Sequence, residues 1–334
     1  MTVTIGRREL LVALGGAAAA WPLAARAQQS SRIRRVDVLM GLTESDPEAQ
    51  SRIAAFHKTL QGLGWTEGRN VQVDYYWAAG DIDRTHTLAK ELVSSAPDVI
   101  VVNTPPGLSA LRVETHTIPI VFVQLLDASE STVVLNPARP ESNVTGFTNF
   151  YEYAVSGKWL ALLKEIAPSV SRVATLQNPN HPSWVGYQGS IAKTAPLLGV
   201  QPIPAHVYTP ADSDNVLDAL AREPNGGLLV LPDTFTTVHR DKIVALADHH
   251  RLPAVYPLRF FATGGGLMAY GADLVELLRL SASYVDRILR GARPSDLPVQ
   301  SSTKFELVIN LKTAKALGIE VPPPLLARAD EVIE

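Results

Sequence analysis

The segment Asp98-Val99-Ile100-Val101-Val102-Asn103 decides the fold class, because an unbroken apolar run of this length is typical of a strand buried on both faces. The helical pattern Arg84–Ser95 precedes it, and before that Val71–Trp77 alternates apolar and polar residues as a strand does. Ile118–Val123 follows as another short apolar run. Short strands that alternate with amphipathic helices predict βαβ units and a parallel sheet.

The same alternation of strands and helices extends in both directions along the chain. It begins with the strand Val36–Met40 and the helix Ala49–Leu63, which Gly64 ends because glycine readily adopts positive φ. It restarts after the Gly/Asn-rich segment Asn143–Asn149. The second set comprises helices Val155–Ile166, Gly189–Leu198, Asp214–Arg222 and Arg240–His250, and strands Val173–Gln177, Gln201–Val207, Gly227–Leu231 and Pro253–Tyr256. Two such sets predict an α/β protein with two Rossmann-like lobes, each built on a parallel sheet.

Residues 1–27 have the pattern of a signal peptide. Arg7-Arg8-Glu9-Leu10-Leu11 forms a basic start, Leu10–Ala20 is a short apolar run, and Ala25-Arg26-Ala27 is an Ala-x-Ala cleavage site. The apolar run is shorter than the roughly 20 residues that a membrane helix needs. The paired arginines resemble a twin-arginine signal, and the general secretory route is the alternative.

The composition of the chain limits its expected cellular location and the kinds of partner that it is expected to bind. The chain has 334 residues, no cysteine and a formal net charge of −3. Without cysteine there are no disulfides, no thiol nucleophile and no site for a lipid anchor. We therefore expect an exported, soluble periplasmic protein without a lipid anchor. The sequence shows no basic stripe, so nucleic acid is not an expected partner.

Motifs for catalysis, nucleotides and metals are missing from the sequence. There is no G-x-S-x-G, H-E-x-x-H, G-x-x-x-x-G-K-[ST] or G-x-G-x-x-G pattern. His249-His250 fits a solvated surface pair better than a metal site, because adjacent helical residues point about 100° apart. Gly264-Gly265-Gly266 precedes a strand pattern, which favours a turn over a phosphate loop. We expect neither a cofactor nor a metal.

Candidate ligand-binding residues follow the predicted strands, because ligands of open parallel sheets bind beyond the carboxyl ends of the strands. Those of the first half are Thr43, Glu44, Ser45, Asn103, Thr104, Gln124, Asp127 and Asn149. Those of the second half are Asn178, Asp233, Phe235, Tyr256, Arg259 and Tyr270.

Several of these candidates also fit a structural role. Asn103, Asp127 and Asp233 have the residue types that cap a following helix. Arg259 equally fits an ion pair with a surface carboxylate. Phe235, in common with other aromatics such as Phe260 and Trp184, fits the core as well as a cleft wall.

Motifs along the whole chain after the first 27 residues resemble the ABC transporter substrate-binding protein family that includes tryptophan/tyrosine-binding receptors. The segments that carry the resemblance are Leu63–Val71, Pro97–Val101, Ile118–Phe122, Asn143–Gly146, Leu229–Asp233, Gly265–Gly271, Tyr284–Leu289 and Lys304–Asn310.

The resemblance implies a type I periplasmic-binding architecture in which the chain crosses three times between the lobes. The crossovers are expected near Asn149, Tyr270 and Pro298, with helix Asp273–Arg290 returning to the first lobe and strand Phe305–Asn310 to the second. The first lobe would comprise 34–148 and 271–297, the second 149–270 and 298–334, with the ligand cleft between them.

The expected function is capture of a small molecule without turnover. The resemblance implies a monomeric receptor that delivers its ligand to the permease of an ABC importer. An aromatic amino acid is the ligand that the family suggests, and other aromatic or carboxylated molecules remain open. A ligand-sensing module for a membrane receptor and an enzyme on the same two-lobed scaffold are the alternative functions.

Overall fold

The structure is a computed structural model that describes residues 32–125, 138, 140, 143–148, 153–181 and 183–334. The predicted signal peptide lies outside these residues. Among the helices described, none combines the length and the apolar character that a membrane span requires.

The first lobe begins as alternating strands and helices. They are β1 (Arg34–Met40), α1 (Pro47–Gly62), β2 (Val71–Trp77), α2 (Ile82–Ser94), β3 (Val99–Val102), α3 (Pro105–Glu114), β4 (Ile120–Leu125) and β5 (Val144–Thr148). The five strands pair in parallel in the order β5-β4-β3-β1-β2. Strand β3, the apolar run Val99–Val102, lies inside this sheet and is buried over its full length, as expected.

The second lobe repeats the pattern. Its elements are α4 (Val155–Ile166), β6 (Arg172–Gln177), α5 (Trp184–Thr194), β7 (Gln201–His206), α6 (Pro210–Ala221), β8 (Gly226–Val230), α7 (Thr234–Val238), α8 (Arg240–His249), β9 (Ala254–Tyr256), α9 (Arg259–Thr263) and β10 (Met268–Ala272). These strands also pair in parallel, in the order β10-β9-β8-β6-β7.

The C-terminal part of the chain contributes to both lobes. Its elements are α10 (Leu274–Leu289), β11 (Gln300–Ser301), β12 (Phe305–Asn310), α11 (Leu311–Leu317), α12 (Pro323–Leu326) and β13 (Glu331–Ile333). Helix α10 packs on α1 and on β4 of the first lobe, and β11 pairs with β5. Strands β12 and β13 extend the second sheet beyond β10. The predicted class of two Rossmann-like α/β lobes is confirmed.

Two details differ from the expectation. The chain leaves the second sheet after Ala272, and Gln300–Ser301 still pairs in the first sheet, so the third crossover follows Ser301 rather than Pro298. Strand β12 runs antiparallel to β10, with Phe305 opposite Ala272. The reason is topological, because the returning chain enters the second sheet at the end where β10 leaves it.

Two glycines fix the local geometry of the first lobe. Gly64 has φ +94° and follows α1, where its N–H donates to the Gln61 carbonyl and the next N–H donates to the Leu60 carbonyl. These two bonds form a Schellman ending, which confirms the predicted role of Gly64. Gly146 in β5 has φ +152°, and a Cβ there would lie 2.0 Å from the carbonyl oxygen of Phe122. Only glycine therefore permits the close approach of β5 to β4.

Candidate ligand-binding site

A cavity lies between the lobes, beyond the carboxyl ends of the strands. The first lobe lines it with Gly41, Leu42, Arg52, Asn103, Thr104, Pro105 and Gln124. The second lobe lines it with His181, Pro232, Asp233, Thr234, Thr237 and Leu258. The cavity has a volume of about 60 Å³ and opens to solvent.

The first-lobe wall is built from the loops that follow β1 and β3. The Asn103 side-chain oxygen accepts a hydrogen bond from the Gly41 N–H at 2.8 Å and ties the two loops together. Thr104 caps α3 by accepting from the Gly107 N–H at 3.2 Å. A Cβ at Gly41 would lie 2.3 Å from Cγ2 of Thr104, so the loops pack this closely only because residue 41 is glycine.

Arg52 reaches this wall from the middle of α1 and is only 3% exposed. Its Nη1 donates to Oε1 of Gln124 at 3.1 Å. Within the described part of the chain, its Nε and Nη2 have no hydrogen-bond partner, and Oε2 of Glu48 lies 3.9 Å from Nη2. Burial lowers the pKa of the Arg52 guanidinium, and the carboxylates of Glu48 and Asp46 oppose that shift. A buried cation with free donors thus borders the cavity.

Gln124 adopts an unusual backbone conformation at the end of β4. Its φ is +72°, and the pairing register between β4 and β5 shifts between Val123 and Leu125. A non-glycine residue at positive φ costs on the order of 1–3 kcal/mol, and such residues cluster at ligand sites. The bulge turns the Gln124 side chain to Arg52, so the strained residue and the buried cation form one unit.

The second-lobe wall centres on Asp233, which is 7% exposed. Its carboxylate accepts from the Thr236 N–H at 2.6 Å, as the cap of α7, and from the Asn178 N–H at 2.7 Å. Burial raises the pKa of Asp233 to about 6, although these hydrogen bonds act in the opposite direction. Nearby, burial lowers the pKa of His181 to about 4, so its imidazole is neutral at pH 7.

The two lobes touch beside the cavity. Nη1 of Arg240 in α8 donates to Oδ2 of Asp46 at 2.7 Å, and the two side chains are 15% and 9% exposed. Asp46 is also the cap of α1, through a hydrogen bond from the Glu48 N–H. The guanidinium carbons of Arg240 and Arg52 lie 5.3 and 6.0 Å from the centre of the Phe260 ring. This arrangement is a closed cleft held partly by a charged contact.

Four of the predicted residues line the cavity together: Asn103, Thr104, Gln124 and Asp233. A fifth residue, Asn178, acts through its backbone N–H on Asp233 rather than through its side chain. The sequence allowed two positions for Asp233, and the structure shows both: its carboxylate caps α7, and the residue borders the cavity. Asn103 instead joins two loops, and Thr104 is the cap of α3.

Seven further predicted residues that the structure describes do not line the cavity. Thr43, Glu44 and Ser45 are exposed, because the loop before α1 turns its side chains to solvent. The strand alternation places Tyr256 in the core, stacked on Phe261.

Three further predicted side chains are engaged elsewhere in the second lobe. Phe235 packs against His239 at the start of α8. Arg259 pairs with Glu306 and Glu331. Tyr270 stacks on Phe305 and bonds Lys158.

The predicted residues Asp127 and Asn149 lie outside the described residues.

The reasoning from strand ends missed Arg52, because this residue belongs to a helix. Yet a signal was present: Arg52 shares the buried stripe of α1 with Ala49, Phe56 and Leu60. A charged residue in an apolar helical stripe is uncommon unless a partner or a ligand meets it. His181, Thr237 and Leu258 carried no comparable signal.

The sequence matches the family model described as ABC transporter substrate binding protein over residues 42–333.

The chain belongs to the ABC transporter substrate-binding protein family. Among its relatives is a tyrosine-binding protein of Clostridioides difficile, which is 23% identical over 275 residues, 82% of this chain and 78% of the relative. The resemblance seen in the sequence motifs is thereby confirmed. Members of this family bind solutes for ABC transport and are not enzymes.

Solved structures share the fold over most of the chain. A conserved domain protein from Vibrio cholerae is 27% identical, with a TM-score of 0.83 over 90% of this chain and all of the other. An ABC domain from Streptococcus pneumoniae in complex with L-Trp is 22% identical, with a TM-score of 0.81 over 90% of this chain and 99% of the other. A ligand-free, open substrate-binding protein from Clostridium difficile scores 0.66, with 22% identity and the same coverage.

Proposed function

We propose that the cavity holds one small organic molecule, an aromatic amino acid or a related carboxylated compound, and that the protein carries it through the periplasm to an ABC permease. The observation that supports this most is the cavity itself, which residues of both lobes line where strand ends and loops converge. A ligand that contacts both walls stabilises the closed arrangement over the open one, which is how lobe closure is coupled to binding.

The composition of the walls suits a molecule with one apolar and one polar part. Leu42, Pro105, Pro232 and Leu258 supply apolar surface. Polar groups on both walls supply hydrogen bonds that fix orientation. The relatives that bind tyrosine and L-Trp support an aromatic amino acid, although among the described lining residues the only aromatic ring is the imidazole of His181. The apolar part of the ligand would then pack against leucine and proline.

Two polar side chains of the cavity serve the fold. Asp233 accepts two backbone N–H bonds, and the His181 imidazole contacts the Ser183 hydroxyl. We propose that the protein is a monomer, that it needs no cofactor, and that it releases its ligand unchanged to the permease.

A thermal-shift screen over amino acids and aromatic acids, followed by small-angle scattering, tests the proposal. A ligand at 100 times its Kd adds about 2.7 kcal/mol to the stability of the folded state. The radius of gyration should fall when that ligand is added, because it selects the closed arrangement. A ligand that saturates the protein without compaction, and without raising ATP hydrolysis by the reconstituted permease, would contradict the proposal.

A further inference from the structure

We infer that Arg52 and Gln124 form a carboxylate clamp, in which Nε and Nη2 of Arg52 receive a carboxylate of the ligand and Gln124 fixes the guanidinium plane. This inference rests on the proposed function of the cavity and names the chemical class of its ligand. The ligand is an organic acid or an amino acid, and not an uncharged sugar or polyol.

The donors of Arg52 carry the first step. Nη1 is engaged by Gln124, whereas Nε and Nη2 are buried without a hydrogen-bond partner among the described residues, with the Glu48 carboxylate 3.9 Å from Nη2. A buried donor without a partner is unfavourable, and a buried cation more so. Nε and one Nη form the edge of a guanidinium that matches the two oxygens of a carboxylate. Arg52 can therefore bind a carboxylate of the ligand at the border of the cavity.

The N-terminus of α3, in the same wall, offers few free N–H groups to an anion. The strand-end loop leads into α3, whose N-terminus would ordinarily offer free N–H groups. Here Pro105 and Pro106 have none, the Gly107 N–H donates to Thr104, and the Leu108 N–H donates to the Thr104 carbonyl. Because the first turn of α3 is engaged in this way, we expect the Arg52 side chain to meet a negative charge on this side.

The other cations near the cavity are accounted for. Arg240 is engaged by Asp46 at 2.7 Å. Burial keeps His181 neutral at pH 7. Among the described residues that line the cavity, Arg52 is thus the cation that an anionic ligand can meet.

Gln124 supplies the orientation. Its Oε1 holds Nη1 of Arg52 at 3.1 Å, and its backbone is kept at φ +72° to place the side chain there. A glycine would adopt this backbone conformation without strain but would leave the guanidinium free to rotate. Gln124 is a positioning residue, and its effect on the ligand passes through Arg52.

The test compares acids with their amides by titration calorimetry. The panel contains the L-amino acids, their α-carboxamides, aromatic carboxylic acids with their amides, and uncharged sugars and polyols. We expect the wild-type protein to bind an acid at least 30-fold more tightly than its amide. In Arg52→Gln, that ratio should fall to below about 3, because the acid loses its partner while the amide loses little.

Three variants separate the clamp from the fold. Arg52→Lys keeps the charge without the planar fork and should recover only part of the ratio. Gln124→Gly removes the side chain while it relieves the backbone strain, so it should fold normally and lower the ratio. Arg172→Gln is the matched control, because Arg172 also has a buried Nη1 without a hydrogen-bond partner and a carboxylate close by, Glu223 at 3.3 Å, but lies at the start of β6, at the opposite end of the sheet from the cavity. Its ratio should equal that of the wild type.

Two results overturn the clamp and leave the receptor function intact. One is equal binding of acids and amides by the wild-type protein, or binding of sugars and polyols alone. The other is an unchanged ratio in Arg52→Gln that has a normal circular dichroism spectrum. Failure of the receptor function has a different signature, which is saturation by a ligand without compaction of the protein.

Discussion

The ion pair between Arg240 and Asp46 should contribute to ligand affinity and hardly to folding. The pair joins the two lobes at 2.7 Å, with both side chains largely buried. In an open arrangement each group would be solvated, and Asp46 would still cap α1. Replacement of Arg240 by glutamine therefore removes a contact that exists only in the closed state.

The magnitude follows from the type of contact. A hydrogen bond between charged groups contributes about 1.5–3 kcal/mol when it is shielded from water. Since closure and binding are coupled, this free energy appears as a ten- to roughly hundredfold rise in Kd. The melting temperature of the ligand-free protein should change little, because the open state does not contain the pair.

Titration calorimetry and stopped-flow release, with the best ligand of the thermal-shift screen, measure this effect. The matched control is Lys242→Gln, which removes a 2.6 Å ion pair with Asp214 inside the second lobe, two residues along the same helix. The Arg240 variant should release ligand faster and the Lys242 variant should behave as the wild type. Unchanged affinity in the Arg240 variant, or an equal loss in both variants, would refute the reasoning.

The remaining predictions concern pH, the fold and export. The raised pKa of Asp233, about 6, makes its contribution to stability fall as the pH rises from about 4 to 6, whereas the lowered pKa of His181, about 4, makes its contribution rise from about 4 to 6.5. In thermal melts between pH 4 and 7, the melting temperature relative to that of the wild type should therefore rise with pH in Asp233→Asn and fall with pH in His181→Gln; curves parallel to the wild type in both variants would contradict these shifts. Gly146→Ala should lower the free energy of unfolding in urea by several kcal/mol, because its Cβ would collide with the backbone of β4; a wild-type midpoint would contradict the geometry of β5. Replacement of Arg7 and Arg8 by lysine should leave precursor in the cytoplasm, as seen by fractionation, and normal export would exclude the twin-arginine route.

Local patterns predicted most of the fold. The bounds of β2 and α4 agree with the sequence reading, because apolar periodicity and chain breakers act within a few residues. The antiparallel direction of β12 was not predictable from such patterns. It depends on where the chain re-enters the second sheet, and no local sequence pattern predicts that point.

The candidate site was predictable only where topology alone decides position. Asn103, Gln124 and Asp233 follow strands of a parallel sheet and line the cavity as the rule requires. Arg259 obeys the same rule, yet Glu306 and Glu331, carboxylates from distant parts of the chain, engage it. Side-chain partners of this kind are set by tertiary packing, so the residues before and after a strand cannot reveal them.

The most direct test of a binding cavity between the lobes is a crystal structure with the first compound that raises the melting temperature. The account predicts electron density for one molecule between Arg52 and Asp233, with a carboxylate within hydrogen-bond distance of Nε and Nη2 of Arg52 and with Arg240 still on Asp46. A ligand bound on the outer face of one lobe, with the cavity between the lobes filled by water, would contradict it.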